Sequence, residues 1–166
     1  MKLYDNKTFM TLQEYQTQEG LPVTKIGKYF SLSEKVFRES TLIYYPLISF
    51  LDDLRETLNK PLVLTSLFRT EAKQEALKAS GAKAASHSPH LYGCAVDISL
   101  KGHNPELVYK TIKMISDKNN RRIRIGYKQY NNVFIHIDFC PEVFGIGGIY
   151  EHLPFIPKQF KSEIEW

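Results

Sequence analysis

Two short runs of β-forming residues, 93–100 and 133–139, alternate polar and aliphatic side chains in a way that leaves few folds open. Successive side chains on a strand face opposite ways. In the first run Ala95, Asp97 and Ser99 share one face, while Val96, Ile98 and Leu100 take the other. In the second, Phe134, His136 and Asp138 stand opposite Ile135, Ile137 and Phe139. Each strand therefore has an aliphatic side to bury and a polar side to present. His90 lies in the loop just ahead of the first strand, and Gly93 lets the chain bend so that His90 comes back over Asp97.

His90, Asp97 and His136 supply two borderline-soft nitrogens and one hard oxygen. A three-ligand catalytic zinc site uses such a donor set and keeps a fourth position for water. If the segments converge, the spacing predicts one Zn²⁺ per chain and a metal hydrolase, with the small Ala95 leaving room beside the ion. Zinc would lower the pKa of its water toward about 7 and polarise a scissile carbonyl. Asp138 stands roughly 7 Å beyond His136 on the same face, which suits a general base or a supporting partner better than a fourth ligand.

The rest of the chain predicts an α+β domain. Ser31-Leu-Ser-Glu34 is a capping-box pattern opening a short helix to about residue 39. Apolar residues at Leu47, Phe50, Leu51, Leu54 and Leu58 form a helical stripe over 46–59. A strand follows over 61–68, and Thr70 caps a helix to residue 79. The small, polar, breaker-rich stretch 80–89 reads as a surface loop. Asn104-Pro105 starts a helix that runs to about residue 117. Strands at 122–126 and 133–139 are joined by a turn. The expected architecture is an antiparallel or mixed sheet with flanking helices. With no repeat or linker, residues 1–166 read as a single domain, its motif-bearing core at about 32–139 and a wrapping tail over 140–166.

A chain of 166 residues is long enough to bury roughly 70% of its unfolded surface. The net charge of +4 is modest, and the one basic cluster, Arg121, Arg122 and Arg124, reads as solvated surface. It lacks the aromatic interleaving of a nucleic-acid stripe, so no nucleic-acid partner is expected. No apolar run is long enough for a membrane helix and the first residues are too polar for a signal peptide, which predicts synthesis in the cytoplasm and no membrane insertion. A monomer is expected. Cys94 would face away from Asp97, and both Cys94 and Cys140 read as buried thiols. His87 reads as a group that supports a ligand or meets solvent, His103 and His152 as loop residues, and Tyr92 and Tyr127 as packing or groove-lining groups.

The pattern Ser88-x-His90-x-x-Gly93-x-Ala95-x-Asp97, followed by Phe134-Ile-His136-Ile-Asp138, resembles the zinc D-Ala-D-Ala carboxypeptidase and L-alanyl-D-glutamate endolysin family of peptidoglycan peptidases. That family shares its fold with the amino-terminal domain of hedgehog proteins. The likeness extends from about residue 32 to 138 and includes Ser66-Leu-Phe-Arg69-Thr. It implies zinc ligation by His90, Asp97 and His136. It also implies a catalytic and substrate-binding Arg69 that stabilises an oxyanion, and a Ser88 that helps hold the peptide. The substrate implied is the peptidoglycan stem peptide, cut by a carboxypeptidase or endopeptidase. The lack of a signal-peptide pattern and of a separate wall-binding module fits action on the cell wall after release, in the manner of a phage or prophage lysis enzyme, and fits a cytoplasmic dipeptidase equally well. One departure stands out: many members carry glutamate as general base three residues before the final histidine, where this chain has Val133. Asp138 is then the candidate base. The alternative is a zinc-bearing peptide or wall-binding module without turnover.

Overall fold

The computed structural model describes residues 9–10, 16–17, 19–21, 25–31, 43–68, 71–81, 89–127 and 131–144. A four-stranded antiparallel sheet organises them, and helices cover its aliphatic face. Its strands are β5 (Leu64–Ser66), β6 (Ala95–Ser99), β7 (Arg124–Gly126) and β8 (Phe134–Asp138), in the order β5-β6-β8-β7. Ahead of it come β1 (Phe9–Met10), β2 (Lys25–Ile26), β3 (Phe30–Ser31) and β4 (Ile43–Tyr44), which form two small antiparallel pairs, β1 with β4 and β2 with β3. The helices are α1 (Tyr45–Leu58), α2 (Glu71–Ala79), α3 (Pro105–Lys118) and α4 (Cys140–Phe144), with a 3-10 turn at Pro89–Tyr92. The α+β class expected from the sequence is the one observed, and the sheet is antiparallel.

Local chemistry sets the helix ends. Asn104 caps α3 by accepting the Leu107 N–H at 3.1 Å, and Pro105 occupies the first turn, where a missing N–H costs nothing. Asn59 ends α1 in the left-handed conformation with φ 50°. Leu47, Ile48, Leu51 and Leu54 of α1 are wholly buried, and each such side chain contributes about 1.5–3 kcal/mol. They join Val96, Ile98, Ile125, Ile135 and Ile137 of the sheet and Val108, Ile112 and Ile115 of α3 in one core. The alternation in β6 and β8 is realised with the aliphatic side in the core, but the polar side is buried as well: Ala95, Asp97, His136 and Asp138 are all covered.

Cys94 and Cys140 are both buried in that core, their sulfurs 3.7 Å apart, and burial raises the Cys140 thiol pKa further above its ordinary range. The tail expected to begin wrapping at residue 140 starts instead as α4. Residues 145–166 lie outside the described residues, as does the expected helix over 34–39.

The turn between β2 and β3 is held on α1 by Asp52, whose carboxylate accepts the Lys28 and Tyr29 N–H groups at 2.8 and 3.3 Å. Gly27 makes this approach possible: its φ is +67°, and a Cβ there would meet Asp52 Oδ2 at 2.5 Å and Ile48 Cγ2 at 2.9 Å. Gly27→Ala is therefore expected to destabilise the protein by at least about 1–2 kcal/mol, the cost of a left-handed backbone alone. A thermal melt of the variant that superimposes on wild type would contradict this close packing.

Candidate metal centre

The ladder between β6 and β8 sets Asp97 directly opposite His136 and Ala95 opposite Asp138. The ladder between β8 and β7 continues both rows, placing Gly126 beside His136 and Arg124 beside Asp138. Directly opposed residues on one face have Cβ atoms about 4.5–5.5 Å apart, so sheet register alone brings Asp97 and His136 together. Gly126 has no side chain to crowd the His136 ring.

His90 arrives from the 3-10 turn. Gly93, at φ +70°, reverses the chain there and donates its N–H to the His90 carbonyl at 3.3 Å. On the far side, β5 is irregular opposite Asp97: the register shifts between Leu64 and Ser66, a bulge of the kind that re-aims groups beside a site. Just past it, the Leu67 carbonyl accepts the His90 Nδ1–H at 2.6 Å, with Ser66 Oγ 3.5 Å from the same nitrogen. A neutral imidazole protonated at Nδ1 has its lone pair at Nε2, and His90 Nε2 faces Asp97 Oδ1 at 3.2 Å.

His90, Asp97 and His136 each offer a donor atom, all within 4.8 Å of one another, and all three residues are buried. The His90 and His136 rings stand edge to face with centroids 5.3 Å apart. Asp97 Oδ1 lies 2.8 Å from His136 Nδ1. A tetrahedral ion with bonds of roughly 2.0–2.2 Å wants its donors roughly 3.3–3.5 Å apart, and the Asp97 contacts to the two histidines lie within about 0.7 Å of that spacing. The donor set fits a divalent ion.

Asp138 lies behind the His136 ring. Its Oδ2 accepts from His136 Nε2 at 2.9 Å and from Arg124 Nη2 at 2.8 Å. Arg124 Nε lies 3.0 Å from both carboxylate oxygens, and the Cys140 N–H reaches Oδ1 at 3.1 Å. Arg124 and Asp138 are both fully buried. Arg124 is thus no solvated member of a basic cluster, which corrects the reading from composition. A signal for it was present in Ile123-Arg124-Ile125, an arginine between two core-facing residues on the strand that pairs with β8.

Electrostatics tie the group together. Burial, the largest single influence, would raise the Asp97 carboxyl, yet the His90 and His136 imidazoles pull it well below its ordinary value of 3.8. Burial likewise opposes protonation of His136, but Asp138 and Asp97 outweigh it and push that imidazole up to about 9. Asp138 is held below its ordinary range against its own burial by His136 and Arg124.

Arg69 and Ser88 lie outside the described residues, as do His87 and His152. His103 is remote from the centre, its Nε2 3.1 Å from the Pro61 carbonyl. Tyr127 donates its hydroxyl to Glu106 at 2.8 Å and packs on Tyr109, and Tyr92 packs against the core. Neither cysteine belongs to the donor group found among the described residues.

A protein-family model described as Peptidase M15 matches residues 14–138, a span that includes the whole four-stranded sheet and all three donors. The chain belongs to the M15 peptidase family. M15 peptidases are metal-dependent hydrolases of peptide bonds, and the buried donor group gives this member a place for the ion. No curated protein and no solved structure matches the chain at a significant level. In this M15 chain the residue just before β8 is Val133, which is 65% exposed and supplies no carboxylate.

Proposed function

We propose that this M15 member is a zinc peptidase that hydrolyses a peptide bond in the stem peptides of bacterial peptidoglycan, with the cell wall as its place of action. The observation that carries the reading is the buried His90–Asp97–His136 group, in which sheet register sets Asp97 against His136 and the 3-10 turn brings in His90, within a peptidase family. Two neutral nitrogens and one carboxylate suit zinc, and three protein ligands leave a coordination position for catalysis. When bound, the ion supplies Lewis acidity that polarises a scissile carbonyl and acidifies water. The chain's own residues orient that chemistry: Leu67 fixes the His90 ring, the β6–β8 ladder fixes Asp97 against His136, and Asp97 contributes the negative charge that holds a cation in a buried setting. Arg69 follows β5 closely in sequence and is the residue proposed to stabilise the oxyanion, with Ser88 holding the peptide.

Val133 favours a second reading, a zinc-bearing module that binds stem peptide without cutting it. Purified peptidoglycan incubated with zinc-loaded protein separates the two. The peptidase reading expects new muropeptides by mass spectrometry, absent with chelator and restored by zinc. The mass of the released fragment would identify the bond. Binding to sacculi without any new fragment would establish the module instead.

A further inference from the structure

We infer that Arg124, acting through Asp138, is a positioning residue that makes His136 a metal ligand through Nδ1; this rests on the metal-site reading above. The sequence offered Asp138 as general base. A base must come within about 2.6–3.2 Å of the proton it takes, directly or through one water. Asp138 is fully buried, and it touches Nε2, the nitrogen on the opposite edge of the ring from the one that meets Asp97. Its oxygens already accept from Arg124 Nε and Nη2, the Cys140 N–H and His136. Among the described residues it is shut off from solvent behind the His136 ring.

The same contacts define a different task. Arg124 and the Cys140 amide can only donate, so Asp138 acts toward its whole surroundings as an acceptor. His136 must then present N–H at Nε2, so Nδ1, hydrogen-bonded to Asp97 in the metal-free chain, is the nitrogen whose lone pair a bound ion would meet once it displaces that proton. A carboxylate behind a ligating histidine fixes ring orientation and raises its basicity. His90 uses the reverse arrangement, with Nδ1–H on the Leu67 carbonyl and Nε2 toward the ion. The two histidines thus ligate through different nitrogens, each set by its own supporting acceptor. Arg124 completes the set by a forked contact that a lysine cannot reproduce. A buried ion pair of this kind is weak evidence for stability, since apolar residues of similar volume often serve the fold as well. Its position against a ligand accounts for it better.

Zinc affinity, read by competition with a chromogenic chelator, tests the inference in full-length wild type, Arg124→Met and Asp138→Asn, with circular dichroism as the check on folding. Both variants are expected to bind zinc about 10–100-fold more weakly. Asp138→Asn is nearly isosteric and keeps the test intact if Arg124→Met does not fold. Nitrogen chemical shifts of zinc-loaded wild type are expected to show His136 bound through Nδ1 and His90 through Nε2. Variants that lose turnover at unchanged zinc affinity would restore Asp138 as the base and overturn the inference, as would His136 ligation through Nε2. Wild type that takes up no zinc would overturn the metal-site reading and this inference with it; wild type that binds beside equally tight variants overturns this inference alone.

Discussion

Asp97→Asn is expected to abolish peptide-bond hydrolysis, by a factor on the order of 10³ or more, because Lewis-acid stabilisation supplies several kcal/mol of the barrier reduction. The substitution keeps side-chain shape and removes the one negative charge among the three donors. Asp97 touches both histidines, at 3.2 Å to His90 and 2.8 Å to His136, so it anchors the group. The chelator competition is expected to show zinc affinity falling with activity while the sheet signal in circular dichroism persists. A folded Asp97→Asn protein that keeps stoichiometric zinc and a tenth or more of wild-type turnover would remove this carboxylate from the centre.

Zinc-free protein is expected to lose stability as pH rises from about 6.5 to 9, while the stabilisation gained from added zinc grows over the same range. In the folded zinc-free chain His136 is protonated between two carboxylates and its pKa is raised from 6.5 to about 9. The folded state therefore holds that proton more tightly than the unfolded state does. The resulting stabilisation is complete below pH 6.5 and is lost as pH climbs through 9. Asp97 and Asp138, held below 3.8, contribute above that value and lose their contribution as pH falls through their lowered values. The favoured window for the zinc-free protein lies between these limits. The His136 shift corresponds to something on the order of 3 kcal/mol, or a melting temperature lower by about 10 °C at the alkaline end. A metal ion competes with the same proton, so the stabilisation from added zinc grows with pH. Melting temperatures taken in chelator and in zinc across this range would check both slopes. A chelated protein whose melting point holds steady from pH 6.5 to 9 would show that His136 does not carry the bridging proton.

Much of the centre was legible because strands write their facing in the sequence. Asp97 and His136 each sit between aliphatic neighbours, so alternation assigned them to a polar face before any pairing was known. Asn104-Pro105 announced α3 by chemistry that is equally local. Pairing is a different matter. Nothing local says that Asp97 opposes His136, or that β5 carries a bulge there, since both depend on contacts between distant segments. The two-residue strands β1–β4 are too short to show a period, so the ladder from Phe9 to Tyr44 went unread. Asp138 was placed on the correct face, but backbone spacing cannot show its carboxylate turning back to within 2.9 Å of the neighbouring ring. Arg124 was mistaken for surface because a charge count carries no information on which way a side chain points.

The direct opposition of Asp97 and His136 also governs how this chain tolerates change. Adding or deleting one residue inside 95–99 or 134–138 would exchange the two faces of that strand, turning a donor inward and an isoleucine out. No slipped pairing of β6 with β8 assembles the full donor group, so an ion captured at this place would report that these two strands have paired in their proper frame. Length variation in this protein should therefore collect in the connection between β7 and β8 and spare the two strands that carry Asp97 and His136.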